Sequence, residues 1–115
     1  MKYLMLICWD AVRMDAQIEP DPGCADEESF PWLDDVQARG IWVAGDHLAP
    51  PRRARSVRVR DGKRIVTDGP FAETKEVVGG FDILECDSLD EAVAVAAGHP
   101  AAETGTIEVR PLWGN

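Results

Sequence analysis

The segment KYLMLICW, Lys2 to Trp9, is apolar at nearly every position. Side chains alternate across a strand, so Tyr3, Met5 and Ile7 fall on one face and Leu4, Leu6 and Cys8 on the other. A strand that is apolar on both faces is covered on both, which puts it in the middle of its sheet. With 115 residues the chain has material for one domain and one core around that strand.

The remaining elements follow from local chemistry. Asp10 to Glu28 is polar, holds the turn signal EPDPG, and is read as carrying no stable element. Ser29 or Phe30 caps a short helix with Pro31 in its first turn, where a missing N–H costs nothing. Trp32, Leu33 and Val36 share one side of that helix, Asp34 and Asp35 suit its dipole, and Gly40 ends it. Ile41 to Leu48 is a second strand, stopped by the diproline of APPRR. In SVRVRDGKRIVT, Val57 and Val59 alternate with Arg58 and Arg60, and Asp61-Gly62 supplies a two-residue hairpin turn.

Val77 to Cys86 is a further strand, with a bulge or close backbone approach expected at Gly79-Gly80. Ser88 and Glu91 form a capping box ahead of a helix whose apolar stripe is read as Leu89, Ala92, Val93 and Ala96. Gly98 and Pro100 end that helix, and GTIEVRPLW returns as a strand. Without the hairpin the order is β-α-β-β-α-β. The expected fold is therefore α+β, a ferredoxin-like βαββαβ sheet with both helices on one face and a β-hairpin inserted.

Charge and cysteine content narrow the function classes. Net charge is −9, which disfavours nonspecific nucleic-acid binding. No apolar run approaches the ~20 residues of a membrane span, and the N-terminus has no cleavage site of the signal-peptide kind. Cys8, Cys24 and Cys86 are an odd set without CxxC spacing, which argues against a disulfide framework and a zinc site and fits a cytoplasmic protein. No cofactor or metal is expected. Seven basic residues lie between Arg52 and Arg64 with Asp61 as the only acid. That stripe is either a solvated hairpin face or a surface for an anionic ligand or a partner's acidic face.

VTDGPFAETKEVVGG, residues Val66 to Gly80, carries more polar groups than a connection needs. Asp68-Gly69-Pro70 is turn chemistry: Asp bonds its own backbone, Gly takes positive φ, and Pro fixes the exit. Phe71, Glu73, Lys75 and Glu76 are left unexplained by the turn, and they are candidate binding residues. The loop is read as a structural turn with a dimer contact, a ligand-binding loop, or a catalytic loop. The charge of Asp68 is expected to anchor the segment, so that Asp68→Asn costs stability.

His47 and Asp68 are the catalytic candidates. His47 has the side chain best suited to general-base work near neutral pH, and it lies at a strand end where the same edge as the loop is within reach. Its alternative is an ordinary strand-end histidine. Asp46 points to the opposite face and forms no dyad with it. Asp82, inside an apolar strand, is a candidate binding residue expected on the sheet face away from the helices. Trp9, beside Asp10 at a strand end, is another candidate for a pocket wall. His99 is read as a helix C-terminal cation without a catalytic role. Cys8 and Cys86, ending the first and third core strands, are expected as parallel neighbours and as unreactive thiols.

From Gly40 to Leu112 the chain resembles the DGPF-domain branch of the YCII-related proteins. The resemblance rests on Asp68-Gly69-Pro70-Phe71 followed in register by AETKE, a GG-led strand, the helix start DSLDEA and the ending IEVRPL. It implies a ferredoxin-like subunit that forms a homodimer through its sheet, the dimeric α/β barrel, and it implies no agreed activity. Wider YCII-related proteins are thought to hold a His–Asp pair in a cleft, and one is a dehydrochlorinase of chlorinated hydroquinones. Their histidine lies in the first helix. This chain has none before His47 and offers Trp32 and Gln37 there, so that chemistry does not carry over. Two function classes stay open. One is a subunit binding an unidentified small molecule at or near the dimer interface, as a lyase- or hydrolase-type enzyme or without chemistry. The other is a non-catalytic regulatory or interaction module, since some DGPF proteins accompany extracytoplasmic-function sigma factors.

Overall fold

A computed structural model describes residues 1–16 and 30–114. Its elements are β1 (Lys2–Asp10), α1 (Ala11–Asp15), α2 (Phe30–Ala38), β2 (Trp42–His47), β3 (Arg55–Arg60), β4 (Lys63–Asp68), β5 (Glu76–Glu85), α3 (Leu89–Ala97), α4 (Ala101–Thr104) and β6 (Thr106–Pro111), with a 3₁₀ turn at Pro51–Arg53. The main sheet has the order β2-β5-β1-β6, and all three pairings are antiparallel. The doubly apolar β1 is an inner strand. This mixed α+β architecture is consistent with a ferredoxin-like fold.

Antiparallel register assigns the faces. Tyr3 pairs Leu84, Met5 pairs Asp82 and Ile7 pairs Gly80, so these residues share one side of the sheet. The helices pack on that side. Tyr3, Met5 and Leu84 join Trp32 and Val36 of α2 and Ala92, Val95 and Ala96 of α3 in the core. Met5, Leu84 and Val36 are wholly enclosed; burying a side chain of this size is worth about 1.5–3 kcal/mol. Trp32 also ties the helices together, its Nε1 donating to the Val95 carbonyl at 2.9 Å. Leu4, Leu6, Phe81 and Ile83 occupy the opposite face, half-buried.

Several expectations change. Asp10 caps α1, its Oδ1 accepting from the Val12 and Arg13 amides at 2.9 and 3.3 Å; an acid competing for orphan amides starts a helix even in a polar stretch. Positions 17–29, including Cys24 and the Ser29 cap, lie outside the described residues. In α3 the buried stripe is Ala92, Val95 and Ala96, while Leu89 and Val93 are 43% and 50% exposed. The sheet takes the side with the smallest side chains because alanines allow closer approach. Ser88 caps that helix as expected, and Glu91 accepts from the Asp87 amide. His99 is a buried ring rather than a surface cation: its Nδ1 accepts from the Ala101 amide, and it meets Trp32 edge to face. Cys8 and Cys86 are not parallel neighbours. β1 and β5 run antiparallel, so Cys8 pairs Val78 at one end while Cys86 follows Glu85 at the other.

β3 and β4 form a two-stranded sheet of their own, Val57 opposite Val66 and Arg55 opposite Asp68. Asp61 and Gly62 both have positive φ, 52° and 74°, the geometry of a type I′ turn. Every residue of β4 is exposed, and all of β3 except Ser56.

Candidate functional site

Two places gather the chemistry-bearing residues. The first is the stem of the hairpin. A hollow of about 330 Å³ is lined by Ala11 and Asp15 of α1, Pro51 and Arg52, and Pro70, Ala72, Glu73, Thr74 and Val77. Its walls follow from the turn residues. Gly69 sits at φ 91°, which reverses the chain out of β4. The Gly69 amide donates to the Ala54 carbonyl at 2.7 Å, and Ser56 Oγ donates to the Gly69 carbonyl at 2.9 Å. Opposite, the Ala11 amide donates to the Lys75 carbonyl at 2.9 Å, and Arg52 Nη1 donates to the Asp15 carbonyl at 3.0 Å. Both stems of the hairpin thus hold walls of the hollow.

The loop residues divide unevenly around it. Glu73 lines the hollow; Phe71 is 80% exposed beside it, and Lys75 and Glu76 are exposed. Asp68 is 3.4 Å from Arg55 across the hairpin, with side chains 88% and 72% exposed. A pair so open to water holds little energy. The exposed pair with Arg55 points away from a charge anchor at Asp68 and towards the backbone bonds around Gly69 as what holds the segment.

The second place is on the helix-facing side of β2 and β5. Asp82 is 8% exposed, and its Oδ1 accepts from Trp42 Nε1 at 2.9 Å. It shares its face with Met5 and Leu84, which corrects the expectation that it lies away from the helices. The register explains the meeting. A bulge at Val43 keeps Trp42 opposite Leu84 while Gly45 falls opposite Asp82. A Cβ on Gly45 would overlap the Asp82 carboxyl, so the carboxyl reaches Trp42 only because that position has no side chain. Burial pushes the Asp82 carboxyl above its ordinary range, and the Trp42 hydrogen bond and nearby His47 pull it back in part. His47 pairs Gly80 and so stands on the same face as Asp82, one diagonal step away. The two catalytic candidates are therefore placed in different surroundings: His47 beside Asp82, Asp68 beside Arg55.

Trp9 lies between these places. It is on the helix-facing side, packed so closely over the Gly79 bulge that a Cβ there would stand 2.5 Å from its ring. Gly105 leaves the same kind of room on the ring's other side, and Trp9 Nε1 is buried without a hydrogen-bond partner. The Cys8 thiol is raised by burial and by Glu76 and Glu108, and the Cys86 thiol mainly by burial. Both are held in the less nucleophilic form. The Asp82–Trp42 contact was absent from the sequence reading; Gly45 two residues before His47 was the signal available. Among the described residues no helix is long and apolar enough to cross a membrane, and no group of three or more His, Cys, Asp and Glu is gathered to hold a metal ion.

The family model described as the YCII-related domain matches residues 1–114. A curated relative, an uncharacterised protein of Rhizobium meliloti (strain 1021), is 49% identical over 67 residues, 56% of this chain. That match spans about half of the relative, 54% of its length.

Proposed function

This chain belongs to the YCII-related domain family, and from that premise we propose that it binds a small molecule in the hollow at the stem of its hairpin. One observation carries the reading: the loop borders an open hollow instead of lying flat and filled against the body. At about 330 Å³ the hollow lies within the range of ligand pockets. Its apolar wall, Ala11, Pro51, Pro70, Ala72 and Val77, suits a compact apolar body, while Arg52, Glu73 and Thr74 supply polar groups at the rim. An interaction module would call for the filled loop. Native mass spectrometry of the protein as isolated is the test, beside Ala72→Trp, which fills the hollow. A copurifying mass on the parent, lost in Ala72→Trp at unchanged melting temperature, supports the reading. A parent that carries no added mass, and whose melting temperature no small carboxylic acid or phenol raises, removes it.

The same reading takes the protein as a homodimer through the open sheet face, in the dimeric α/β barrel arrangement. Leu4, Leu6, Phe81 and Ile83 form a half-buried apolar surface on the side where, among the described residues, no helix of the core packs, and such a surface in water needs a cover. Light scattering after gel filtration tests it.

A second reading concerns chemistry, and Asp82 favours it. A carboxyl held above its usual range beside a histidine is equipped to pass a proton, as a lyase- or hydrolase-type reaction requires. It sits five residues along β5 from Val77, roughly 16 Å by strand rise, so its substrate would lie on the helix-facing side and not in the hollow. Loss of a measured turnover in His47→Ala, at unchanged melting temperature, is the expected result.

A further inference from the structure

The hairpin β3–β4 forms a sheet of its own, and among the described residues no third strand joins it. Its register says which backbone groups face outward. The Gly69 amide donates to the Ala54 carbonyl at 2.7 Å, in step with the pairing of Ser56 with Thr67, Arg58 with Ile65 and Arg60 with Lys63. Antiparallel pairs alternate between those that exchange backbone bonds and those that do not. These pairs are therefore the bonded ones, and Arg55, Val57 and Val59 turn their N–H and C=O groups away from β4. The outward Val59 carbonyl accepts from Arg60 Nη1 at 2.9 Å, so a side chain stands where another strand would pair.

The side chains along this edge sort by face. Val57 and Val59, 62% and 59% exposed, share one face with Val66. Arg58 and Arg60 share the other with Lys63 and no acid. None of these three cations makes an ion pair among the described residues. A two-stranded ribbon without packing is marginal in water, and a third strand secures it. Arginines on the edge repel a second copy of β3, which leaves the place to a strand of opposite charge. A DNA duplex would use the arginine face alone and leave the valines and the edge backbone in water.

We infer that β3 is a docking edge for an extended acidic segment of a partner protein, added antiparallel as a third strand in which carboxylates and apolar side chains alternate. Its apolar residues stand opposite Val57 and Val59 and exchange backbone bonds with them. Its carboxylates stand opposite Arg58 and Arg60, in the pairs without backbone bonds, where side chains come closest. Apolar and charged contacts thus fall on separate faces of the ribbon. The edge belongs to the hairpin and not to the open face of the main sheet, so the homodimer reading and this one claim different surfaces.

Fluorescence anisotropy with the whole chain and short capped peptides is the test. A peptide alternating glutamate and valine should bind about tenfold or more tighter than one alternating lysine and valine, with the difference shrinking as salt is raised. N-methylation of its valines, whose N–H groups face β3, should weaken binding about tenfold or more, while N-methylation of its glutamates should change it less than about twofold. Arg58→Glu with Arg60→Glu should reverse the preference towards the lysine peptide at unchanged melting temperature. Equal binding of the two methylated peptides would mean charge attraction without strand addition and overturns the inference. A DNA duplex that displaces the glutamate peptide overturns it as well, and so does a double variant that keeps the parent's preference.

Discussion

Trp42 and Asp82 meet above Gly45, the indole Nε1 donating to Oδ1 at 2.9 Å in a space that no side chain at position 45 could share. Met5 and Leu84 crowd the same face, so the carboxyl is surrounded by apolar groups on a side where an amide would be easier to bury.

Asp82→Asn should stabilise the protein at neutral pH. Burial raises the folded-state pKa of Asp82. A group raised in this way contributes its stability below the unfolded value of about 3.9 and loses it as pH rises through the folded value. Asparagine keeps an oxygen for Trp42 and removes the charge. The melting temperature at pH 7 should rise by a few degrees, where one kcal/mol is worth about 4–8 °C in a domain of this size. The gain should vanish near pH 4. Melting curves from pH 4 to 8 check this, and a variant destabilised throughout would contradict it.

Trp42→Phe should cost about 1–3 kcal/mol, since it withdraws the hydrogen bond from a buried carboxyl. In an Asp82→Ala background the same change should cost clearly less. Equal costs in both backgrounds, read by urea unfolding, would mean that indole packing alone matters.

Gly45→Ala should destabilise by about 1–3 kcal/mol, because the added methyl displaces the Asp82 carboxyl. Gly80→Ala is the control on the same face, with nearest neighbours at 3.4 Å or more. It should cost less, and thermal melts of the pair give the comparison.

Asp68→Asn should change stability by less than about 0.5 kcal/mol in low or high salt, given how exposed its partner Arg55 and its own side chain are. Gly69→Ala should cost about 1–2 kcal/mol, because an L residue resists a φ of 91°. Denaturant midpoints of the two variants test whether backbone or charge holds the turn.

The strand order was legible because β1 and the Val57–Val66 hairpin state their environments in local pattern: one apolar on both sides, the other alternating about Asp61-Gly62. The loop's hollow was legible only as an excess of polar residues, since its walls come from α1 and the Pro51 turn as well. Asp82 is expected on the open face because an acid inside an apolar strand suggests a wet surface, whereas it alternates regularly with Leu84 on the core side and is accommodated there by Trp42 and the bare Gly45, partners that β5 alone does not contain. The buried face of α3 turned on how closely alanines let the sheet approach, which depends on a neighbour that the helix sequence does not contain.

The bulge at Gly79 acts as a phase shifter between two halves of one strand. Beyond it, Gly80, Asp82 and Leu84 keep step with the core; before it, Val78 has turned outward opposite Cys8 and Val77 inward opposite Trp9. Drawing Gly79 into the regular ladder instead of bulging it out would restore strict alternation and send Val77, with the loop it anchors, to the other side of the sheet. The polar loop and the buried acid are thus timed against each other by one glycine, whose lack of a side chain also makes room for the Trp9 ring.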